Sequence, residues 1–443
     1  LAGAAAAMNE RFRFLVRHVL FTLKGGFLVR PLAMALTLGM IGTVLSSSEL
    51  QNPWLGSWVP AGLFPIRRDH VIAQLILSTI ASSVMTVVSI VFAILLMTLT
   101  LASSQFSPRI IQSFSRDLVT QWTLGIFLGT FSYCISALPA SGTTPAPAPV
   151  LTVLGAMLLS LICVAWLLYF IQHISQAISV NFIVDRVAME TEAIIDDLMP
   201  EPRKEGTAPE PEQPADPDRA ATVLATTSGY VRYIDFGRLG ELAKEAALTI
   251  YVERRVGHFV PSGVPLLTVN KGERLSEALI SALRVCFDLG PTRTLEQDIE
   301  FGVLQIVDIG LKAISPAVND PSTGISCVDQ LSRILIRFAS REPPAARFYD
   351  PPAQLRVSMP WLGLERLVDS AYEQIRLYAR SDLAVSLRLM RALHDLAVTV
   401  DEPASRAMIR ERAQRVFEGC APNFSESEMT EMRGRLLAFE RLV

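Results

Sequence analysis

VIAQLILSTIASSVMTVVSIVFAILLMTLTL, residues 71–101, contains no charged side chain. As a helix it reaches about 46 Å at about 1.5 Å per residue. A bilayer hydrocarbon core is about 30 Å thick. The stretch therefore crosses a membrane and either tilts or projects beyond it. Working outward, further apolar runs lie at about 27–45, 118–138 and 150–170. The sequence thus predicts a four-helix transmembrane domain over 9–199, its last part a juxtamembrane helix.

The placement of positive charge orients these spans. Arg11, Arg13, Arg17 and Lys24 precede the first, Arg109 and Arg116 lie between the second and third, and the 139–149 connector has no Lys or Arg. Loops rich in Lys and Arg stay in the cytosol, which places both termini there. Arg67 and Arg68, in the first external loop, run against the rule. Arg11, Arg13 and Arg17 sit among Phe12, Phe14, Leu15 and Val19, a pattern suited to an interfacial helix. Arg109 and Arg116 flank a short elbow, and all five arginines are candidate lipid-headgroup ligands.

Two features inside the spans carry candidate chemistry. Ser78, Ser82, Thr86 and Ser89 recur at spacings of four, four and three, so they share one face of the second helix. Such a stripe either packs closely against another helix or lines a wet path; packing is the commoner use. Gly125 and Gly129 form a GxxxG on the third helix, a helix-contact signal. No Asp, Glu or Lys stands in mid-span, which disfavours an ion-coupled transporter.

Composition excludes several classes. A net charge of −3 over 443 residues gives no electrostatic footprint for nucleic acid. The five cysteines form no CxxC pair and the five histidines have no metal-ligand spacing. No P-loop, GxSxG, HExxH or dinucleotide fingerprint occurs. Neither an enzyme nor a cofactor or metal is expected.

Beyond the spans, PEPRKEGTAPEPEQPADPDR (200–219) is a solvated Pro/Glu-rich linker. Residues 221–270 read as a β-rich module interrupted by a helix at 236–247. Its VGHFVPSGVPLL matches V-G-x-x-V-x-x-G-x-x-L and resembles the barrel-sandwich hairpin of lipoyl and biotinyl domains. No lysine stands at the hairpin tip, so the resemblance implies an interaction module without a covalent group. Residues 274–443 read as mainly helical, beginning with an amphipathic helix over 276–289 and ending in a small bundle. The whole is a multi-domain α+β membrane protein.

The densest stretch is QDIEFGVLQIVDIGLKAISPAVNDPSTG, 297–324. Leu304, Val307, Leu311 and Ile314 share a helical face and predict a core contact. SPAVNDPSTG then breaks the helix. Asn319 and Asp320 are either turn formers and caps, or part of a polar pocket made by Asp298, Asp308, Lys312, Asn319, Asp320 and Thr323. Together with DLVTQWTLGIFLGTFSYC (117–134) and GHFVPSGVPL (257–266), this stretch resembles the bacterial membrane proteins of domain of unknown function 2254. The resemblance implies a bacterial inner-membrane protein with a cytosolic tail, and no activity.

Two function classes follow. The first is a homo-oligomeric pore for ions or small solutes, lined by the hydroxyl stripe, with the tail as vestibule or gate. The second is a membrane-anchored sensor or scaffold whose cytosolic tail binds a ligand or partner protein. The absence of coupled charges in the spans tips the sequence slightly toward the pore.

Overall fold

A computed structural model describes residues 29–52, 54–55, 70–105, 118–141, 149–177, 179–201, 221–343, 346–350 and 354–439. Arg11, Arg13, Arg17, Arg109, Arg116 and nearly all of the 200–219 linker lie outside the described residues. The chain divides into two compact units, 1–179 and 180–443. The helix that opens the second unit is the one the sequence assigns to the membrane domain.

The first unit holds four helices long and apolar enough to cross a membrane. They are α1 (Val29–Gln51), α2 (His70–Gln105), α3 (Leu118–Ser141) and α4 (Val150–Ala177). α3 touches all three others and is the most buried of the four. Outward faces carry Leu36, Met40, Leu75, Leu161 and Leu168, all exposed, as expected of surfaces solvated by acyl chains. Neighbouring helices are tied through side-chain hydroxyls. Ser136 Oγ donates to the Gly39 carbonyl at 2.8 Å, Tyr133 OH to the Thr152 carbonyl at 3.1 Å, and Trp166 Nε1 to Thr123 Oγ1 at 2.9 Å.

α1 runs past the expected end of the first span, and the reason is Glu49. Its buried carboxylate accepts from the amides of Leu151 (2.8 Å) and Thr152 (3.1 Å) and from Thr152 Oγ1 (3.0 Å). These are among the amides that the first turn of a helix leaves unpaired. A carboxylate at that positive end is favourable, so Glu49 pins the start of α4 to the end of α1.

The second unit begins with α5 (Val180–Leu198). The middle is β1 (Ala221–Leu224), β2 (Gly229–Ile234), α6 (Phe236–Glu245), β3 (Ile250–Val252), β4 (Phe259–Val260), β5 (Pro265–Val269), α7 (Glu277–Val285) and β6 (Phe287–Gly290). Then come α8 (Ile299–Ala313), α9 (Pro321–Ala339), β7 (Arg347–Asp350) and β8 (Gln354–Ser358). The chain closes with α10 (Leu364–Ala379), α11 (Leu383–Thr399), α12 (Pro403–Cys420) and α13 (Glu426–Ala438).

The strands form two open sheets, in order β1-β5-β3-β8-β7 and β4-β2-β6. All pairings are antiparallel except β3 with β8, where Ile250 faces Val357. Val223, Val231, Ile250, Leu267, Phe287 and Val357 fill one core shared by both sheets. This corrects the closed barrel-sandwich expectation. The hairpin that suggested it sends its two strands to different sheets: β4 pairs with β2, and β5 lies between β1 and β3. β4 is only two residues long and ends at Pro261, which has no amide to extend a ladder. The sheets also recruit β6, β7 and β8 from beyond residue 270.

Two other expectations shift. Residues 276–289 are a helix only as far as Val285, because 287–290 pair with β2. Tertiary pairing overrides the local helical pattern there. α8 is buried on nearly every side, between α5, α9 and α10. Of the four residues read as its core face, Val307 alone is fully buried, while Leu304, Leu311 and Ile314 are half-buried.

Candidate functional site

α5 is amphipathic and buries Ile183, Val184, Val187, Thr191 and Ile195 against α8 and α9. Its outer edge is held by charge. Arg333 reaches Asp185 and Glu192, Arg337 makes two bonds to Asp196 (2.7 and 2.6 Å), and Arg341 reaches Asp196 at 2.7 Å. The arginines are four residues apart, so they lie along one face of α9 and its extension. The contact with α8 is close. A Cβ on Gly302 would sit 2.0 Å from Thr191 Oγ1.

Leu198, the last residue of this element, and Met199 after it line a cavity inside the second unit. Ile234, Phe236, Val252, Val256, Phe338, Met359 and Trp361 make the rest of its apolar lining. The open volume is about 40 Å³ for the centre of a water-sized sphere; one water needs about 10–15 Å³ on that measure. Apolar side chains dominate the lining. Arg255, Gln297, Asp298 and Glu300 make its polar end.

Gln297, Asp298 and Glu300 come from the dense QDIEFG stretch, and Arg255 lies just before the VGHF turn. Asp298 is the N-cap of α8, accepting from the Phe301 amide at 3.0 Å. Both its oxygens also bind Arg293, each at 2.7 Å. Glu300 accepts from Arg255 Nη2 (2.9 Å), Arg366 Nε (3.1 Å), Ser370 Oγ (2.8 Å) and more weakly Arg293 Nη2 (3.4 Å). The two carboxylates are 3% and 4% exposed, so their charge survives only because it is paired. Burial pushes the Glu300 carboxyl up, but Arg255, with further donors from Ser370 and Arg293, holds it down to about 2.

Gly257 makes room for this pairing. Its φ of +87° is a left-handed conformation, and a Cβ there would lie 2.6 Å from both Arg293 Nη2 and Asp298 Oδ2. Burial lowers the pKa of His258, and Arg255, Arg254 and Arg293 add to the effect against the opposing pull of Glu300. Gln297 closes the floor: its side-chain amide accepts from the Ile234 amide (3.0 Å) and donates to the Ile234 carbonyl (3.4 Å).

The six residues read as a possible polar pocket do not form one. Asp298 stands at the start of α8, whereas Asn319, Asp320 and Thr323 lie past its end, about 20 Å away along a rigid helix. Asp308 and Lys312 are half-buried on the intervening turns. Asp320 caps α9, accepting from the Thr323 amide (3.1 Å) and hydroxyl (2.6 Å), and those bonds lower its pKa. Asn319 takes the turn with φ +50°. The turn-and-cap alternative describes Asn319, Asp320 and Thr323, and Asp298 alone of the six lines a cavity.

In the first unit the glycines pack. A Cβ on Gly125 would meet Met34 Sδ at 2.5 Å, and one on Gly129 would meet Leu38 Cδ1 at 2.4 Å, so α3 rests against α1 there. The hydroxyl stripe faces the other way. Ser78, Ser82, Thr86 and Ser89 are exposed, and each donates to a carbonyl of its own helix at 3.0 to 3.1 Å. No group of three or more His, Cys, Asp or Glu suited to a metal occurs among the described residues.

The family model described as "Predicted membrane protein (DUF2254)" matches residues 24–395. An uncharacterised protein of Mycobacterium bovis and one of Mycobacterium tuberculosis are each 30% identical over 398 residues, 84% of this chain and 75% of theirs. No solved structure matches. The match takes in the membrane helices, the GHF turn and the α8 carboxylates alike, and the chain belongs to the DUF2254 family of predicted membrane proteins.

Proposed function

We propose that this protein is a membrane-anchored sensor in which the second unit binds a small ligand and signals to the membrane helices through α5. One observation carries this: the end of α5, Leu198, lines the cavity together with Met199 just after it, and α5 begins three residues after α4 ends at Ala177. A ligand between α5 and the polar cluster changes what α5 packs against. The chain then transmits that change directly into a span. The protein is no enzyme on this account and takes no cofactor. It resides in a bacterial inner membrane with both termini cytosolic, forms a homo-oligomer, and touches anionic lipid through Arg11, Arg13, Arg17, Arg109 and Arg116.

The coupling is testable without knowing the ligand. Val256→Phe fills the cavity from the sheet side. A spin label placed at Met189, on the exposed face of α5, should change its line shape in that variant. An unchanged spectrum in folded protein contradicts the sensor. Reporter fusions after Ser141 and Pro214 should report opposite sides of the membrane; agreement between them contradicts the topology.

A pore remains the second reading, favoured by the outward hydroxyl stripe of α2. Because α3 occupies the middle of the four helices, a conducting path would lie between copies, with α2 nearest the axis. Thr86→Leu and Ser89→Leu should then cut ion flux through dewetting. Unchanged flux in correctly assembled variants removes this face from consideration.

A further inference from the structure

Large apolar side chains stand exposed at the end of the second unit where α5 begins. α5 and α8 run antiparallel: Thr191 lies against Gly302, and Leu198 lines the same cavity as Asp298 and Glu300 at the start of α8. Phe182 precedes Thr191 by as many residues as Leu311 follows Gly302, so Phe182 stands level with the last turn of α8. α10 runs the same way as α8. Ser370 bonds Glu300 near the start of α8, and Ile375 Cδ1 lies against Gly310 near its end. Leu377 and Tyr378 continue α10 beyond that point. Val318 sits in the α8–α9 turn, which meets the start of α9 where Ile314 lies against Gly324. Phe182, Val318, Leu377 and Tyr378 therefore share one end of the unit, and they are 42% to 59% exposed.

Two facts say what covers this end. The first is the covalent tether. α4 has 28 residues and as a helix reaches about 42 Å, the thickness of a bilayer with its headgroups, about 40–45 Å. Phe182 is the fifth residue past Ala177, at most about 18 Å of chain. The chain thus enters the second unit at this end, from a helix long enough to stop among headgroups. The second fact is chemical. Tyr378 joins an apolar ring to a hydroxyl, a combination favoured at headgroup level. Arg380 beside it is exposed, and a guanidinium suits a lipid phosphate. Asp320 and Asp382, the acids nearest these residues in the chain, are engaged as caps, accepting from the Thr323 and Val385 amides.

We infer that this end of the second unit rests on the bilayer surface, with Phe182, Val318, Leu377 and Tyr378 seated among the lipid headgroups. Their apolar area holds it there as it holds an interfacial helix. The contact serves a sensor and a pore alike, and neither reading depends on it.

Spin-label accessibility in the full chain, in phosphatidylcholine nanodiscs, tests this. All five native cysteines are buried, so a nitroxide attaches at an introduced one. Val318→Cys and Tyr378→Cys probe the end. Val285→Cys, exposed on α7, is the control. Oxygen concentrates in lipid and a nickel chelate in water. Labels at Val318→Cys and Tyr378→Cys should show an oxygen-to-nickel collision ratio severalfold above that at Val285→Cys. Phe182→Glu with Leu377→Glu places charge at exposed positions, where folding tolerates it, and should bring the ratio at Val318→Cys down to the control. Nickel reaching either end label as freely as the control overturns the inference. Shielding from both reagents overturns it too, because that is the mark of a protein cover, a second copy of the chain included. A ratio that stays high in the double glutamate variant means the tether alone holds the end at the membrane, and it overturns the adhesion.

Discussion

Glu300→Gln removes one charge from a buried cluster and leaves Arg255 and Arg366 facing a neutral amide. Such losses cost about 3 kcal/mol or more, and a thermal melt of the second unit should show a clear drop. The pH dependence has a definite sign. The Glu300 carboxyl sits at about 2, below its ordinary 4.5. A depressed carboxylate stabilises the fold fully above its unfolded pKa and loses that contribution as pH falls through the folded one. Stability should therefore fall between pH 4.5 and about 2 in the wild type, and fall less in Glu300→Gln. Gly257→Ala should also destabilise. It forces a side chain into a left-handed conformation, costing about 1–3 kcal/mol, and its Cβ collides with the Arg293–Asp298 pair. The Asp320 cap past the far end of α8 was legible in the sequence, because Asp320 before Pro321 is local chemistry. The cluster was not. Glu300 meets Arg255 across 45 residues and Arg366 across 66, and no spacing rule joins residues that far apart.

Elements in this protein meet through small residues, and substitutions there separate them. Gly302→Ala places a methyl 2.0 Å from Thr191 Oγ1 and should lift α5 from α8. Hydrogen exchange over 180–198 should quicken. Thr191→Ala in the same chain removes the obstructing hydroxyl and should restore slow exchange; failure of that rescue would mean the two helices meet elsewhere. In the first unit, Gly42→Ala and Gly129→Ala make a useful contrast. A Cβ at Gly42 meets the Tyr133 backbone carbonyl at 2.6 Å, which cannot move aside. At Gly129 the first obstacle is the tip of Leu38, which can. Overpacking costs about 1–3 kcal/mol, and Gly42→Ala should reach that range while Gly129→Ala stays below it. A melt in detergent ranks them. The four spans were readable from hydropathy because a bilayer demands long apolar helices. The sheets were readable only as strands. Short strands such as β4 acquire their partners from tertiary structure, so neither the open edges nor the recruitment of β6 to β8 was written locally. Glu49 was overlooked for a related reason: a lone glutamate past an apolar run reads as loop until the helix it caps is in place.

At the scale of the molecule, the chain divides into a unit of four apolar helices and a mixed α/β unit, and the helix that follows the last apolar one belongs to the second. Hydropathy located the first unit, while of the six residues singled out as a polar pocket Asp298 alone lies at the cavity. The slight sequence preference for a pore rested on the absence of coupled charges in the spans, with the α2 stripe as the candidate lining. The residues of that stripe are exposed among the described residues, while the cavity is lined by the last residue of α5. The direct test is hydrogen exchange of the α4 amides over 150–177, in the full chain in nanodiscs, with the cavity open in the wild type and filled in Val256→Phe. A sensor of this design predicts that filling the cavity changes exchange in α5 and at the C-terminal end of α4 together. A change confined to the cavity walls, with α4 identical in both proteins, would contradict it.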